Sequence, residues 1–345
     1  MSQPSIPTAH EKPASLPLQD AWKLCVAPMV DWTDRHCRVF HRSMSANARV
    51  YTEMLHANAV LHGDPARVLA FDASEHPVAM QLGGSEPAML AAATARAVAW
   101  GYDEVNLNVG CPSERVRSGS FGACLMREPS LVAECVAAMC EASSVPVTVK
   151  CRIGVDDQEP SEVLFDFAAR MRAAGAAALV VHARKAWLSG LNPKENREIP
   201  PLDYPLVHEL KRMHADWPIV INGGIADAAS VLVQLEHMDG VMLGRVAYHD
   251  PYSLHRLDRM LFAPEVPLQS RADLLRGMRP YVEAQLANGV ALKHMVRHIL
   301  GLFHGEPGGR AFRKVLSEGA HQPGADWKLV ERALEAVELH GVRVA

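Results

Sequence analysis

The chain has 345 residues, of which 49% are hydrophobic and 21% charged, and its formal net charge is −4. That balance gives no overall pull toward a polyanion, so any nucleic-acid contact must come from local basic clusters. No apolar run approaches the roughly 18 residues that a membrane span needs, and the length suits one large domain with a smaller appendage.

The first 20 residues, MSQPSIPTAHEKPASLPLQD, are rich in Pro, Ser and Ala and lack the apolar core of a secretory signal; they are expected to form a disordered leader. The seven cysteines are odd in number and have no CxxC spacing. This argues against a disulfide framework or a metal site and for a reducing, cytoplasmic compartment.

From Leu24 onward, short apolar runs alternate with longer helix-compatible stretches, the pattern of repeated βα units. Strands are predicted at Leu24–Ala27, Val50–Glu53, Val78–Gln81, Glu104–Asn108, Val147–Lys150, Ala178–His182, Pro218–Asn222 and Gly240–Leu243. Helices are predicted between them, among others at Ala88–Trp100, Leu131–Glu141, Glu162–Ala174 and Ala228–Leu235. Eight such units over roughly 240 residues predict an α/β fold, a closed (β/α)8 TIM barrel over residues 21–262, in preference to a doubly wound open sheet. Met29, Glu53, Gln81, Asn106, Asn108, Cys111, Lys150, Arg152, His182, Arg184, Asn222 and Arg245 all fall near strand C-terminal ends. In a barrel those ends share the face that carries the active site.

After a proline-containing linker, Ala263–Gln269, the β signal stops. Arg271–Ala287, Ala291–Phe303, Ala311–Gly319 and Trp327–Leu339 read as helices, so residues 268–345 are expected to form a C-terminal all-helical domain.

Three features carry chemistry. IVINGGI (219 to 225) and VMLGR (241 to 245) are strands running into glycines, at the seventh and eighth strands of the predicted barrel. Such glycines expose backbone N–H groups to a phosphate, and Arg245 can add a charged fork. Gln81, Lys150 and His182 end the third, fifth and sixth strands; together they suit a flavin ring, with Lys150 as the cation near N1 and Gln81 as an amide partner. Cys111 lies in a polar loop bounded by Gly110 and Gly119, where apolar packing explains it poorly, whereas Cys25, Cys135, Cys140 and Cys151 read as core residues. A thiol with an ordinary pKa near ~8.5 can serve as an acid as well as a nucleophile.

The stretches APMVDWTDRHCR (27 to 38), YTEM (51 to 54), HPVAMQLGG (76 to 84), GYDEVNLNVGCPSERV (101 to 116), FGACLM (121 to 126), VTVKCRIG (147 to 154), INGGI (221 to 225) and HMDGVMLGR (237 to 245) resemble the tRNA-dihydrouridine synthases. HARKAWLSGLNPKENREIPPLDYP (182 to 205) resembles the A subfamily, which modifies uridines at positions 20 and 20a of the tRNA D loop. Cys151 departs from the family pattern, in which Thr is expected between Lys150 and Arg152. The resemblance implies FMN, with Pro28 and Met29 under the ring, Gln81, Lys150 and His182 around it, and Asn222, Gly223, Gly224, Gly244 and Arg245 at its phosphate. It implies NADPH as reductant, hydride transfer from the reduced flavin to uracil C6, and a proton from Cys111 to C5. Asn108 and Arg152 would hold a base flipped out of the tRNA. Arg184, Trp187, Arg310 and Arg313 would orient the tRNA, and a monomer without a protein partner is implied.

Two basic helix faces fit that substrate: Lys293, His294, Arg297 and His298 at i, i+1, i+4 and i+5, and Arg310, Arg313 and Lys314 on the next helix. An FMN oxidoreductase acting on a free small molecule would leave these faces unexplained. A non-catalytic tRNA-binding protein would leave Lys150, Cys111 and the glycine loops unexplained. Flavin absorbance separates the last reading from the others.

Overall fold

The computed structural model describes residues 20–113 and 119–341. The expected leader therefore lies, but for Asp20, outside the described residues, as do 114–118 of the Cys111 loop and the last four residues. Eight parallel strands, β1 (Leu24–Val26), β2 (Arg49–His56), β3 (Val78–Gly83), β4 (Glu104–Val109), β5 (Val147–Arg152), β6 (Ala178–His182), β7 (Ile219–Asn222) and β8 (Gly240–Leu243), close into a barrel in sequence order. β8 returns to β1 through Leu24↔Val241, Cys25↔Met242 and Val26↔Leu243, which rules out the open sheet.

Every strand lies at its expected place, and β6 and β8 have their expected bounds. The largest difference is β2, which runs on to His56 through a register shift between Tyr51 and Met54. The extension is half-buried and mixed in polarity, so the apolar run that marks a strand stops before the strand does.

The barrel sorts its side chains by alternation. Inside, Trp22, Cys25, Tyr51, Ala79, Ala178, Val180, Val220 and Met242 form a buried cluster. Burying side chains of this size stabilises by roughly 1.5–3 kcal/mol each. β4 departs from the pattern: Glu104, Asn106 and Asn108, all of one parity, are polar and buried. Barrel interiors are ordinarily filled by branched aliphatic residues, so this stripe needs a reason.

The described residues group into two compact units, one of 20–31 with Arg49–Gly244, the other of Trp32–Ala48 with the chain from Arg245 onward. Downstream of β8 every described element is helical. Two predicted helices are corrected there. Arg271–Ala287 is two helices, Arg271–Gly277 and Arg279–Ala287, because Pro280 opens the second, where its missing N–H is tolerated and an interior position is not. Of Ala291–Phe303, only Lys293–Val296 is α-helical. The chain continues in tighter turns, with His298 N–H donating to Met295 O, Ile299 to Val296 and Leu302 to Ile299.

That tightening also corrects the basic face expected on this segment. The Arg297 guanidinium lies 2.6 Å and the buried His298 ring 3.0 Å from the Asp34 carboxylate, which also caps the helix Arg35–Met44 by accepting from Cys37 N–H. Both side chains are engaged inside their own unit: His298 is buried, and Arg297, though exposed beside Lys293 and His294, is paired with Asp34.

Candidate active site

The C-terminal ends of β3 and β4 carry a closed network of amides. Asn108 ends one turn of the chain short of Cys111, and its Oδ1 accepts from the backbone N–H of Gly110 at 3.1 Å and of Cys111 at 2.9 Å. Its Nδ2 donates to Gln81 Oε1, and Gln81 Nε2 donates to Asn106 Oδ1, both at 2.8 Å. The loop's first turn is therefore held from inside the barrel, with the Cys111 thiol half-exposed at the rim and 3.5 Å from the Ser113 hydroxyl. Ala123 N–H donates to Cys111 O and closes the loop on its far side.

The ends of β5 to β7 are cationic. Lys150 Nζ donates to Asn222 Oδ1 at 2.9 Å, and Asn222 Nδ2 donates to Met242 O. Burial, and then the Arg152 guanidinium, push the Lys150 ammonium down to about 8. Burial also lowers Arg152, to about 10. His182 is held well below its ordinary range, first by burial and then by Arg152, Lys150, Arg184 and Arg197, and is a neutral imidazole. Its Nδ1 is buried without a hydrogen-bond partner. A buried polar atom left unpaired, beside cations that desolvation disfavours, is the signature of a site that takes an anionic, hydrogen-bonding group.

The two glycines after β7 fit the same purpose. Gly223 has φ +104 and a Cβ there would stand 3.0 Å from the His182 ring; Gly224 has φ +71 and a Cβ would meet Leu202 and Tyr204. Only glycine satisfies both the left-handed backbone and the space. The Tyr204 hydroxyl, from the helix Tyr204–Met213, fixes this turn by donating to Gly223 O at 2.6 Å. After β8, a Cβ on Gly244 would meet nothing within 4 Å, so its backbone is open to approach. Pro28 and Met29 follow β1 and are half-buried.

Arg152 is committed to the protein itself. It is buried, and donates from Nε to Gly110 O at 3.1 Å and from Nη1 to Asn196 O at 2.9 Å. It thus ties the Cys111 loop to the loop between β6 and the next helix. Asn196 knits that second loop: fully buried, it donates to Trp187 O and Leu191 O and accepts from Trp187 N–H. Arg184 donates to Pro200 O, and its Nε is buried without a hydrogen bond. Trp187 is 42% exposed, with the Lys185 ammonium 5.7 Å above its ring. Arg245 opens the helix Arg245–His249 and belongs to the second unit, as do Arg310 and Arg313, which are exposed on the helix Gly309–Gly319.

Sequence reasoning missed Arg197, Asn196, Tyr204, Glu104 and Thr148. The loop residues carry no periodicity that could mark them. Glu104 could have been found, because a carboxylate at an inward position of a barrel strand, followed by Asn at the next two inward positions, breaks the apolar rule three times in succession.

Comparison with known proteins bears on this arrangement. The family model described as Dihydrouridine synthase matches residues 25–338. A tRNA-dihydrouridine(20/20a) synthase of Xanthomonas campestris is 62% identical over 326 residues, covering 94% of this chain and 97% of that protein. Proteins of the same description from Vibrio vulnificus, 53% identical over 316 residues (91% and 97%), and Escherichia coli, 52% over 318 residues (92% and 96%), are similar along nearly the whole length. Among solved structures, morphinone reductase aligns with a TM-score of 0.49 at 15% identity, over 72% of this chain and 87% of that one.

Proposed function

The chain belongs to the dihydrouridine synthase family, and from that premise we propose that it reduces uridine to 5,6-dihydrouridine at positions 20 and 20a of the tRNA D loop, with FMN as cofactor and NADPH as reductant. The observation that carries the reading is the half-exposed Cys111 thiol, held by Asn108 at the rim of β4 within electrostatic reach of Lys150 and Arg152.

The residues fit a flavin mononucleotide. Lys150 and the unpaired Nδ1 of His182 suit its ring, with Gln81 adding an amide and Pro28 and Met29 lining it. The backbones of Gly223, Gly224 and Gly244, with Asn222, suit its phosphate, and Arg245 follows in the chain. When bound and reduced, the flavin supplies hydride at C6 of the uracil.

The protein's own residues complete the reaction. Addition of hydride at C6 leaves negative charge on C5 and O4, and the Cys111 thiol quenches it by giving its proton to C5. Asn108 anchors the backbone of that thiol, and Arg152 fixes its loop while adding positive charge near the developing anion. C6 is out of reach within a folded tRNA, so the base must be flipped into the barrel mouth. Arg184 and Trp187 on the first unit, and Arg310 and Arg313 on the second, are assigned to the tRNA, the arginines to phosphates and Trp187 to stacking.

The test is to purify the protein, record its flavin spectrum and incubate it with NADPH and tRNA lacking dihydrouridine, mapping the product by mass spectrometry. Dihydrouridine at positions 20 and 20a is expected. Reaction with free uridine as fast as with tRNA would overturn the assignment of tRNA as substrate.

A further inference from the structure

The polar stripe inside β4 ends on a buried carboxylate. Three hydrogen-bond donors and one ion pair converge on Glu104: Trp22 Nε1 donates at 2.7 Å to one oxygen, beside which the Arg49 guanidinium lies at 3.3 Å as a charge pair, and Tyr51 Oη at 2.8 Å and the Thr148 hydroxyl donate to the other. A group that accepts from three hydrogen-bond donors and pairs with a guanidinium is acting as a pure acceptor. The charge is felt around it. Burial, and then Glu104, raise Tyr51 and Cys25, while Arg49, lowered by burial, is raised above its ordinary value by Glu104.

From there a single chain of hydrogen bonds climbs to the barrel mouth. The Thr148 hydroxyl, having given its proton to Glu104, must accept, and it accepts from Asn106 Nδ2 at 2.8 Å. Asn106 must then present Oδ1 to Gln81 Nε2, Gln81 must present Oε1 to Asn108 Nδ2, and Asn108 must present Oδ1 to the N–H groups of Gly110 and Cys111. Each amide could flip in isolation, yet here every link points the same way, and flipping one would set donor against donor at one neighbour and acceptor against acceptor at the other. The carboxylate below and the two backbone N–H groups above impose the same polarity. It has a consequence at the top. Asn108 Oδ1 is saturated by two backbone donors, so the hydrogen it retains beyond its bond to Gln81 is all it can offer outward. Gln81 likewise keeps one N–H beyond its bond to Asn106.

We propose that Glu104, acting through Thr148, Asn106, Gln81 and Asn108, is a positioning residue that holds the Cys111 loop and fixes Gln81 and Asn108 to face the site as hydrogen-bond donors. The group that meets Asn108 must then be an acceptor, such as a pyrimidine carbonyl. An exocyclic amino group at the same place, as cytosine carries, would face a donor. The inference rests on the function proposed above and deepens it, but the chain of bonds can be tested without it.

Glu104→Gln places an amide N–H among three donors and a guanidinium and threatens folding, so the decisive variant is Thr148→Val, nearly isosteric and lacking only the hydroxyl. Amide hydrogen exchange at Gly110 and Cys111, read by NMR on the protein without substrate, is expected to accelerate about tenfold as Asn108 loses its support. In turnover with tRNA, kcat is expected to fall about 10-fold or more, with KM for tRNA and bound flavin unchanged, since misplacement and not binding is the defect. Thr148→Ser, which keeps the hydroxyl, is expected to restore both readouts. Unchanged exchange in Thr148→Val, or a loss that Thr148→Ser fails to rescue, overturns the proposal. So does a variant whose only defect is in KM or flavin content. Inactive wild-type protein with the expected exchange pattern would instead overturn the proposed function and leave the positioning chain standing.

Discussion

The two sides of the barrel mouth satisfy their polar groups in opposite ways. On β3 and β4 the amides of Gln81, Asn106 and Asn108 are matched to one another and to the Cys111 loop. On β5 to β7, burial disfavours the charged forms of Lys150, Arg152 and His182, and His182 keeps a nitrogen with no hydrogen bond. A closed network rigidifies, whereas an open one is costly until something binds it. The amide half thus aims the thiol and offers the cofactor the Gln81 amide alone, whereas the cationic half, with its unpaired His182 nitrogen, suits the rest of the cofactor.

That division is open to attack, beginning where the effect is largest. Cys111→Ala is expected to lower dihydrouridine formation by about 10²- to 10⁴-fold, the usual worth of a positioned acid, with flavin content and tRNA binding preserved. Loss of flavin from that variant would mean that the two halves are not separate. Lys150→Met should do the reverse, weakening FMN about 10- to 100-fold in a titration followed by fluorescence, in line with ~1.5–3 kcal/mol for a hydrogen bond to a charged group. Retained flavin would show that the cationic half serves something else.

A pH titration sharpens the same contrast. Burial and Arg152 set the Lys150 ammonium at about 8 against an ordinary 10.5. The folded protein therefore releases this proton before the unfolded chain does, and the stability cost of the buried charge, present below about 8, is relieved as pH rises through that window toward 10.5. FMN affinity should move the opposite way. A ligand that needs the ammonium charged should bind more weakly above about 8, by up to about tenfold per pH unit. Affinity flat from about pH 7 to about 10 would remove Lys150 from the flavin site.

The smallest effect is expected on the exposed helix Gly309–Gly319 of the second unit. Replacing both Arg310 and Arg313 with Ala should leave tRNA-independent NADPH oxidation unchanged, weaken tRNA binding, and reduce the slope of log affinity against log salt by about 0.7–0.9 for each phosphate that is no longer neutralised. A wild-type slope would release this helix from the tRNA surface.

The barrel was legible because its signal is periodic and repeated. Eight apolar runs separated by helix-compatible stretches leave little choice, and the residues that matter chemically stand where those runs end. What the sequence concealed depends on contacts between distant residues. Arg297 and His298 read as part of a basic face because their partner, Asp34, lies 263 and 264 positions away in the chain. Arg152 reads, by resemblance, as a residue that holds the flipped base, and its bonds to carbonyls of two loops are something no composition reveals. Glu104 was visible as a letter but not as an anchor, since Thr148, through which it acts, looks like any β-branched strand residue.

The double commitment of Arg152 bears on how this scaffold could be re-engineered. One guanidinium staples Gly110 of the thiol loop and Asn196 of the loop that displays Trp187, so the two are not interchangeable cassettes. A graft that replaces the 184–200 segment to redirect substrate choice would also unfasten the backbone on which Cys111 stands. Chimaeras between relatives should exchange both loops together with Arg152, as a single transplanted unit.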